Sequence, residues 1–379
     1  MKKVFIISSV LLAVILLFLG IYNLAFRQDP TRVGTVGKEE TANNEQKTTP
    51  ASDVKKISVI TEESVRASVL TQDQKHIRYY AKDTGIAYEI DLDGRAKRAL
   101  SDRMLPDIVD IAWSPDATKV LSTLRTDTGT ATYVYDYTTN SGTKIKEGID
   151  TARWANVGNR ILYKYFDSAR KERSLSVADA DGGNWKKLVD IPFQKVSFVH
   201  VPHSSRVAFW NFPNGFEETL LQMVTITGGD TAARMRGLFG ADYRWSPDGA
   251  RVLVSSTIER GGTKITLATM NSDGGEYQNL TIPTLASKSA WSYDNTTVYY
   301  ALPNAIPDGG VMPNDYLSAQ FFTRDTFWKV NTKTGKKERL VSLEEIGGEY
   351  DAIDLFLSPT ENALFFTNRI DDKLYRITF

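Results

Sequence analysis

The sequence predicts an all-β chain, a seven-bladed β-propeller of four-stranded antiparallel blades, with seven favoured over six or eight. Three observations carry this expectation. A tryptophan-bearing turn recurs along the chain at a near-constant period. A second, glycine-bearing turn follows it at a fixed place in several periods. The last copy lacks a strand, and a spare strand precedes the first copy.

The clearest copy of the first turn is YRWSPDGARVLVS at Tyr243–Ser255. A strand enters the turn Ser246-Pro247-Asp248-Gly249 and a second strand leaves it. Pro247 presets its own φ, Gly249 tolerates positive φ, and the Ser246 and Asp248 side chains can accept from nearby backbone amides. Related stretches read IAWSPDATKVLST from Ile111, ARWANVGNRILYK from Ala152 and SAWSYDNTTVYYA from Ser289, with weaker copies from Ser68, Val199 and Leu355. Aligned on the first apolar residue after the turn, they fall at Ile77, Val120, Ile161, Val207, Val252, Val298 and Leu364, at intervals of 43, 41, 46, 45, 46 and 66 residues. A repeat of this length suits a four-stranded propeller blade.

The second turn reads IDLDGRAKRAL at Ile90–Leu100, VADADGGNWKKL at Val177–Leu188, ATMNSDGGEYQNL at Ala268–Leu280 and KVNTKTGKKERL at Lys329–Leu340. Asp-Gly and Gly-Gly between two strands are hairpin signals. Tyr350–Phe379 supplies three strands and then ends. The strand-like run Val54–Ile60, VKKISVI, is expected to complete that blade and remove an open edge.

Ahead of the blades, Val4–Phe26 is a 23-residue run without charge. As a helix it would extend about 34 Å, enough to cross a bilayer core. Its length and its exit favour an uncleaved anchor over a signal peptide. Lys2 and Lys3 place the N-terminus in the cytoplasm and the bulk of the chain outside it. Residues 27–53 are polar and without apolar period, a disordered tether. The expected division is therefore 1–26 anchor, 27–53 linker and 54–379 propeller.

Composition narrows the function. Lys plus Arg and Asp plus Glu number 46 each, so the chain lacks the basic excess of a nucleic-acid binder. Cysteine is absent, excluding disulfides, thiolate metal sites and a cysteine nucleophile, and there are three histidines. His200 and His203 have metal-like spacing, but they fall in a tight turn where a supporting role is the simpler reading. The Asp-rich pieces at 179–183 and 271–275 lack the further ligands of a calcium loop and read as hairpin turns. Trp113, Trp154, Trp245 and Trp291 occupy equivalent places in four blades, which argues for packing between blades and against a ligand cage.

The paired W-S-P-D-G and D-x-D-G-G turns resemble the propeller repeats of TolB-type proteins, over about Ser64 to Phe379. The same blade type also occurs in the lids of prolyl-oligopeptidase-like peptidases, whose hydrolase domain carries a G-x-S-x-G elbow. This chain has no such elbow. The resemblance implies the blade type and leaves partners open.

Function is expected in the loops that leave the disc between second and third strands. The interval after Val298 is the longest, and its extra residues fall in Pro303–Thr323, which carries Met312, Tyr316, Phe321 and Phe322. With Trp210, Phe212 and Phe216 from another loop and Arg125, Arg170 and Arg260 as cationic contacts, this segment is expected to cover the channel mouth or present a partner site. The expected role is a non-catalytic scaffold binding a protein or cell-envelope component, as a monomer and without cofactor or metal. The alternative is a lactonase, lyase or glycan-active propeller using carboxylates at the central channel.

Overall fold

The computed structural model describes residues 56–156 and 159–379. The expected anchor at 1–26 and the linker at 27–53 lie outside them. Among the described residues no helix is long and apolar enough to cross a membrane.

After β1 (Ile57–Val59) the chain lays down antiparallel meanders in sequence order. The first comprises β2 (Val65–Leu70), β3 (His76–Ala81), β4 (Ala87–Asp91) and β5 (Arg98–Ala99). The second is β6 (Ile108–Trp113), β7 (Lys119–Thr126), β8 (Gly129–Asp136) and β9 (Ser141–Lys144). The third is β10 (Ile149–Trp154), β11 (Arg160–Asp167), β12 (Glu172–Asp179) and β13 (Lys186–Asp190). A longer, seven-stranded sheet follows: β14 (Val196–His200), β15 (Arg206–Asn211), β16 (Glu218–Thr225), β17 (Ala232–Trp245), β18 (Arg251–Thr257), β19 (Thr266–Asn271) and β20 (Gln278–Ile282). Next come β21 (Ser289–Trp291), β22 (Thr297–Pro303), β23 (Asp325–Asn331) and β24 (Lys337–Arg339). The final sheet is β25 (Ala352–Leu357), β26 (Ala363–Asn368) and β27 (Leu374–Thr378), with β1 as its fourth strand.

That final sheet joins the two ends of the described chain. β1 runs antiparallel to β27, with Ile57 opposite Ile377 and Val59 opposite Tyr375. The seven-stranded sheet has a break in pairing within β17. Residues from Ala232 to Phe239 pair with β16, and those from Phe239 to Trp245 pair with β18. Gly240, at a φ of 58°, sits where the partner changes.

The recurring turn behaves as its residue types dictate. Ser246 Oγ donates to Asp248 Oδ1 at 2.5 Å, and the backbone amides of Ala250 and Arg251 donate to Asp248 and Ser246 at 3.0 Å. Gly249 has a φ of 71°, and a Cβ there would lie 2.1 Å from the Pro202 carbonyl oxygen of the preceding turn. Both the left-handed backbone and the close approach require glycine.

The apolar core lies between successive meanders. Leu162, Leu175 and Leu188 of the third pack on Phe198, Phe209 and Val224 of the next. One cluster joins Val65, Ile77 and Tyr79 to Phe365 and Leu374, so the last sheet packs on the first and the circuit closes. The recurring tryptophans lie at these seams. Trp113 Nε1 donates to the Ala67 carbonyl at 2.8 Å, Trp154 Nε1 to that of Ala112 at 2.9 Å and Trp291 Nε1 to that of Arg244 at 3.1 Å. Each indole thus bonds the first strand of the meander before its own. Trp245 differs, donating to Ser272 Oγ at 3.0 Å. The packing role expected for these residues is the observed one.

Candidate functional site

The long connection expected between second and third strands runs between β22 and β23. It contains a single helical turn, α1 (Asn314–Leu317). Proline and glycine keep the segment from extending either strand, and two of its apolar residues turn inward. Met312 and Tyr316 are 2% exposed and pack with Ile265 and Leu285.

This segment is fastened to three other loops. The Met312 amide donates to the Gly262 carbonyl at 3.1 Å, and Asn314 Oδ1 accepts from the Gly215 amide at 2.6 Å. Asn314 Nδ2 donates to Asn214 Oδ1 at 2.8 Å. A Cβ on Gly215 would meet the Met312 carbonyl oxygen at 2.4 Å, so glycine permits this contact. On the other side, an Arg369 guanidinium nitrogen donates to the Tyr316 carbonyl at 3.2 Å, and that guanidinium lies 4.2 Å from the centre of the Tyr316 ring.

Beneath the segment lies a buried ionic cluster. Lys288 Nζ donates to Asp325 Oδ2 and to Asp351 Oδ1, both at 2.6 Å, and all three side chains are fully buried. Tyr316 Oη and Thr323 Oγ1 also donate to Asp351 Oδ1, at 2.6 and 2.9 Å. Burial raises the Asp351 carboxyl, but the Lys288 ammonium and the donated hydrogen bonds outweigh it and hold the group below its ordinary value. Burial prevails at Asp325, whose carboxyl is pushed up despite the same lysine. The Tyr316 hydroxyl is raised by burial and by the Asp351 charge it faces.

Around this fixed segment several large apolar side chains are exposed: Phe212, Phe216, Ile258, Leu317, Phe322 and Ile370, from 43% to 70%. All sit in connections between second and third strands. The opposite turns expose Trp185, Tyr277 and Tyr293. A cleft of about 730 Å³ opens beside α1, lined by Phe193, Lys195, Phe212, Pro213, Asn314 and Leu317 among others.

The expected contact residues therefore divide. Phe212, Phe216 and Phe322 are exposed, and Phe321 is half-buried against Tyr316. Arg260 is exposed but already donates from Nε to the Phe216 carbonyl at 3.0 Å, bracing that loop. Arg125 and Arg170 are exposed on the hairpins between second and third strands of the second and third meanders. Three expectations are corrected. Trp210 is 4% exposed, donates to Asp242 Oδ1 at 3.2 Å and packs on Tyr243 and Trp245. Met312 and Tyr316 are core residues that hold the segment down. In each case a large apolar side chain finds a long-range partner, a choice that loop position alone does not reveal.

Sequence reasoning missed Ile258, Ile370 and the Lys288 cluster. The available signal for the cluster was a lysine among small and apolar residues directly before a first strand, in TLASKSAW. Of the two spaced histidines, His200 is buried and its Nδ1 accepts from the Asn156 amide at 2.9 Å. Among the described residues no group of three His, Cys, Asp or Glu is placed to hold a metal ion.

A second cavity, of about 740 Å³, is lined by the first strands of several meanders. Arg66, Asp110, Arg244 and Asp354 face it, with Lys82. Asp110 accepts from an Arg153 guanidinium nitrogen at 2.5 Å.

Comparison with solved structures decides the architecture. An oligogalacturonate lyase from Vibrio parahaemolyticus matches over 85% of this chain and 93% of its own, at 13% identity and a TM-score of 0.61. The propeller domain of the Trilobed protease from Pyrococcus furiosus matches over 83% and 95%, at 12% identity and a TM-score of 0.55. The fold is a β-propeller. TolB from Acinetobacter baumannii also matches, over 74% of this chain and 64% of its own, at 15% identity and a TM-score of 0.47. No protein-family model matches the sequence, and a search of curated proteins returns no match. In propeller terms the second cavity belongs to the central channel, and the long segment lies on the face where second strands turn into third.

Proposed function

We propose that this propeller is a seven-bladed, membrane-anchored, extracytoplasmic scaffold that binds a protein or cell-envelope component without catalysing a reaction. The blade count follows from reading β17 as the outer strand of one blade running directly into the inner strand of the next. The anchor and its orientation follow from the uncharged run at Val4–Phe26 and the lysines before it.

The observation that carries the binding role is the uneven exposure of apolar side chains. They gather on the face bearing the 304–324 connection, which the buried cluster holds in one conformation. A rigid surface with exposed aromatics and a polar surround is the anatomy of a protein interface. Such a surface loses little conformational freedom on binding.

The experiment is capture from detergent-solubilised membranes with the full chain as bait, compared with the double variant Phe216→Asp and Ile258→Asp. Both residues are exposed, so the melting temperature should stay within about 2 °C of the parent, as expected for surface changes. A partner retained by the parent and lost by the variant supports the proposal. Equal recovery by both overturns it.

A further inference from the structure

The central channel holds hydrogen-bonding capacity that the described residues leave unused. Arg66 lies on β2 and Arg244 on β17, and both line the same cavity. Each donates once to a backbone carbonyl, Arg66 to Ile108 at 2.8 Å and Arg244 to Leu355 at 3.0 Å. Among the described residues neither guanidinium has a carboxylate within 4.0 Å, although Lys82 and Arg153 nearby are paired with Asp372 and Asp110. Arg66 Nε and Ser68 Oγ are buried without a hydrogen-bond partner, and Ser68 lines the cavity too. A guanidinium carries five N–H donors in a planar fork matched to a carboxylate.

From this we infer that the channel is a binding site for a carboxylate-bearing ligand, held between Arg66 and Arg244 with Ser68 as a further donor. The cavity, at about 740 Å³, has room for a small organic acid or for the end of a longer chain. Asp354 faces the same space without an ion-pair partner of its own within 4.0 Å among the described residues, so it opposes a second negative charge. Partial desolvation in the channel pushes the Arg244 guanidinium down and the Asp354 carboxyl up from their ordinary values, although the Asp354 residue itself keeps an exposed face. An incoming carboxylate would relieve the first of these costs. This site is separate from the apolar face proposed for the partner, and either can fail without the other.

The test is calorimetric titration of the full chain in detergent at low ionic strength. The probes are succinate, inorganic phosphate, and N-acetyl tetra-alanine as the free acid and as the amide. Saturable binding of succinate or of the peptide acid is expected. Arg66→Gln and Arg244→Gln should each weaken it at least tenfold. Asp354→Asn should tighten it about threefold or more, a gain that misfolding cannot imitate. Preference for the peptide acid over succinate and over its amide would assign the carboxylate to a chain terminus, and the reverse to a free acid. The inference is overturned if neither carboxylate saturates, if the glutamine variants bind as the parent does, if Asp354→Asn weakens binding, or if phosphate binds as tightly as the carboxylates.

Discussion

Lys288 and Asp351 meet at 2.6 Å with both side chains wholly buried, although 63 residues separate them in sequence. Lys288 directly precedes β21 and Asp351 directly precedes β25, so the contact joins two neighbouring first strands. Tyr316 and Thr323 of the long connection close on the same carboxylate. The surface above is therefore a continuation of the core.

Replacing Lys288 should be severe. Lys288→Met fills similar volume but leaves buried Asp325 without its counter-ion and Asp351 with only Arg369, at 3.4 Å. Breaking a buried pair in this way costs about 3–5 kcal/mol. Chemical denaturation checks this, and a loss below about 1 kcal/mol would show that water reaches the cluster.

The tryptophan seams should separate bulk from hydrogen bonding. Trp154, at 8% exposure, packs between meanders and bonds the Ala112 carbonyl. Trp154→Ala should cost about 3–5 kcal/mol as a large-to-small change. Trp154→Phe keeps a ring but strands a carbonyl, and should cost about 1–3 kcal/mol. Equal costs for the two variants would mean that the hydrogen bond, and not the ring, holds the seam.

His200 should make stability depend on pH. Burial, aided by the Arg160 charge, holds its imidazole below the ordinary value, and Nδ1 is occupied as an acceptor. On unfolding the imidazole recovers an ordinary value near 6.5, so between the two values the unfolded chain binds more protons. Stability from this group is therefore complete above about pH 6.5 and falls as pH drops through that value toward the folded one, with a limiting slope of about 1.4 kcal/mol per pH unit. Unfolding free energies from pH 7.5 to 5 should show this slope, and His200→Gln should flatten it. An unchanged slope in the variant would assign the dependence to other groups.

The pairing of β1 with β27 should matter out of proportion to its length. A chain lacking residues 1–60 exposes the outer edge of β27, whereas one lacking 1–55 keeps the pairing. The shorter chain should melt several degrees lower and aggregate more readily, because an unpaired edge strand templates association. Equal melting temperatures would show that β1 contributes nothing to closure.

Replacing 304–320 with a flexible linker would not separate the surface from the fold. The segment contributes Met312 and Tyr316 to a buried cluster and a hydrogen bond to Asp351. Its removal should therefore destabilise the fold, and point changes at Phe216 and Ile258 are the cleaner test of the surface.

The repeat, the turns and the order of strands were legible because their causes are local. A turn such as Ser246–Gly249 is specified by residues in direct succession, each restricting its own backbone or bonding one nearby. Tryptophans at equivalent places in successive repeats could be read as packing for the same reason. Tertiary structure alone decided which loop residues are anchors and which are surface. Tyr316 and Phe322 sit six positions apart in one connection and look alike in sequence, yet one is buried against Asp351 and the other is half-exposed. Burial depends on which distant strands arrive beside a residue, and the Lys288 cluster, the channel guanidinium groups and the exposed apolar face all arise from such meetings.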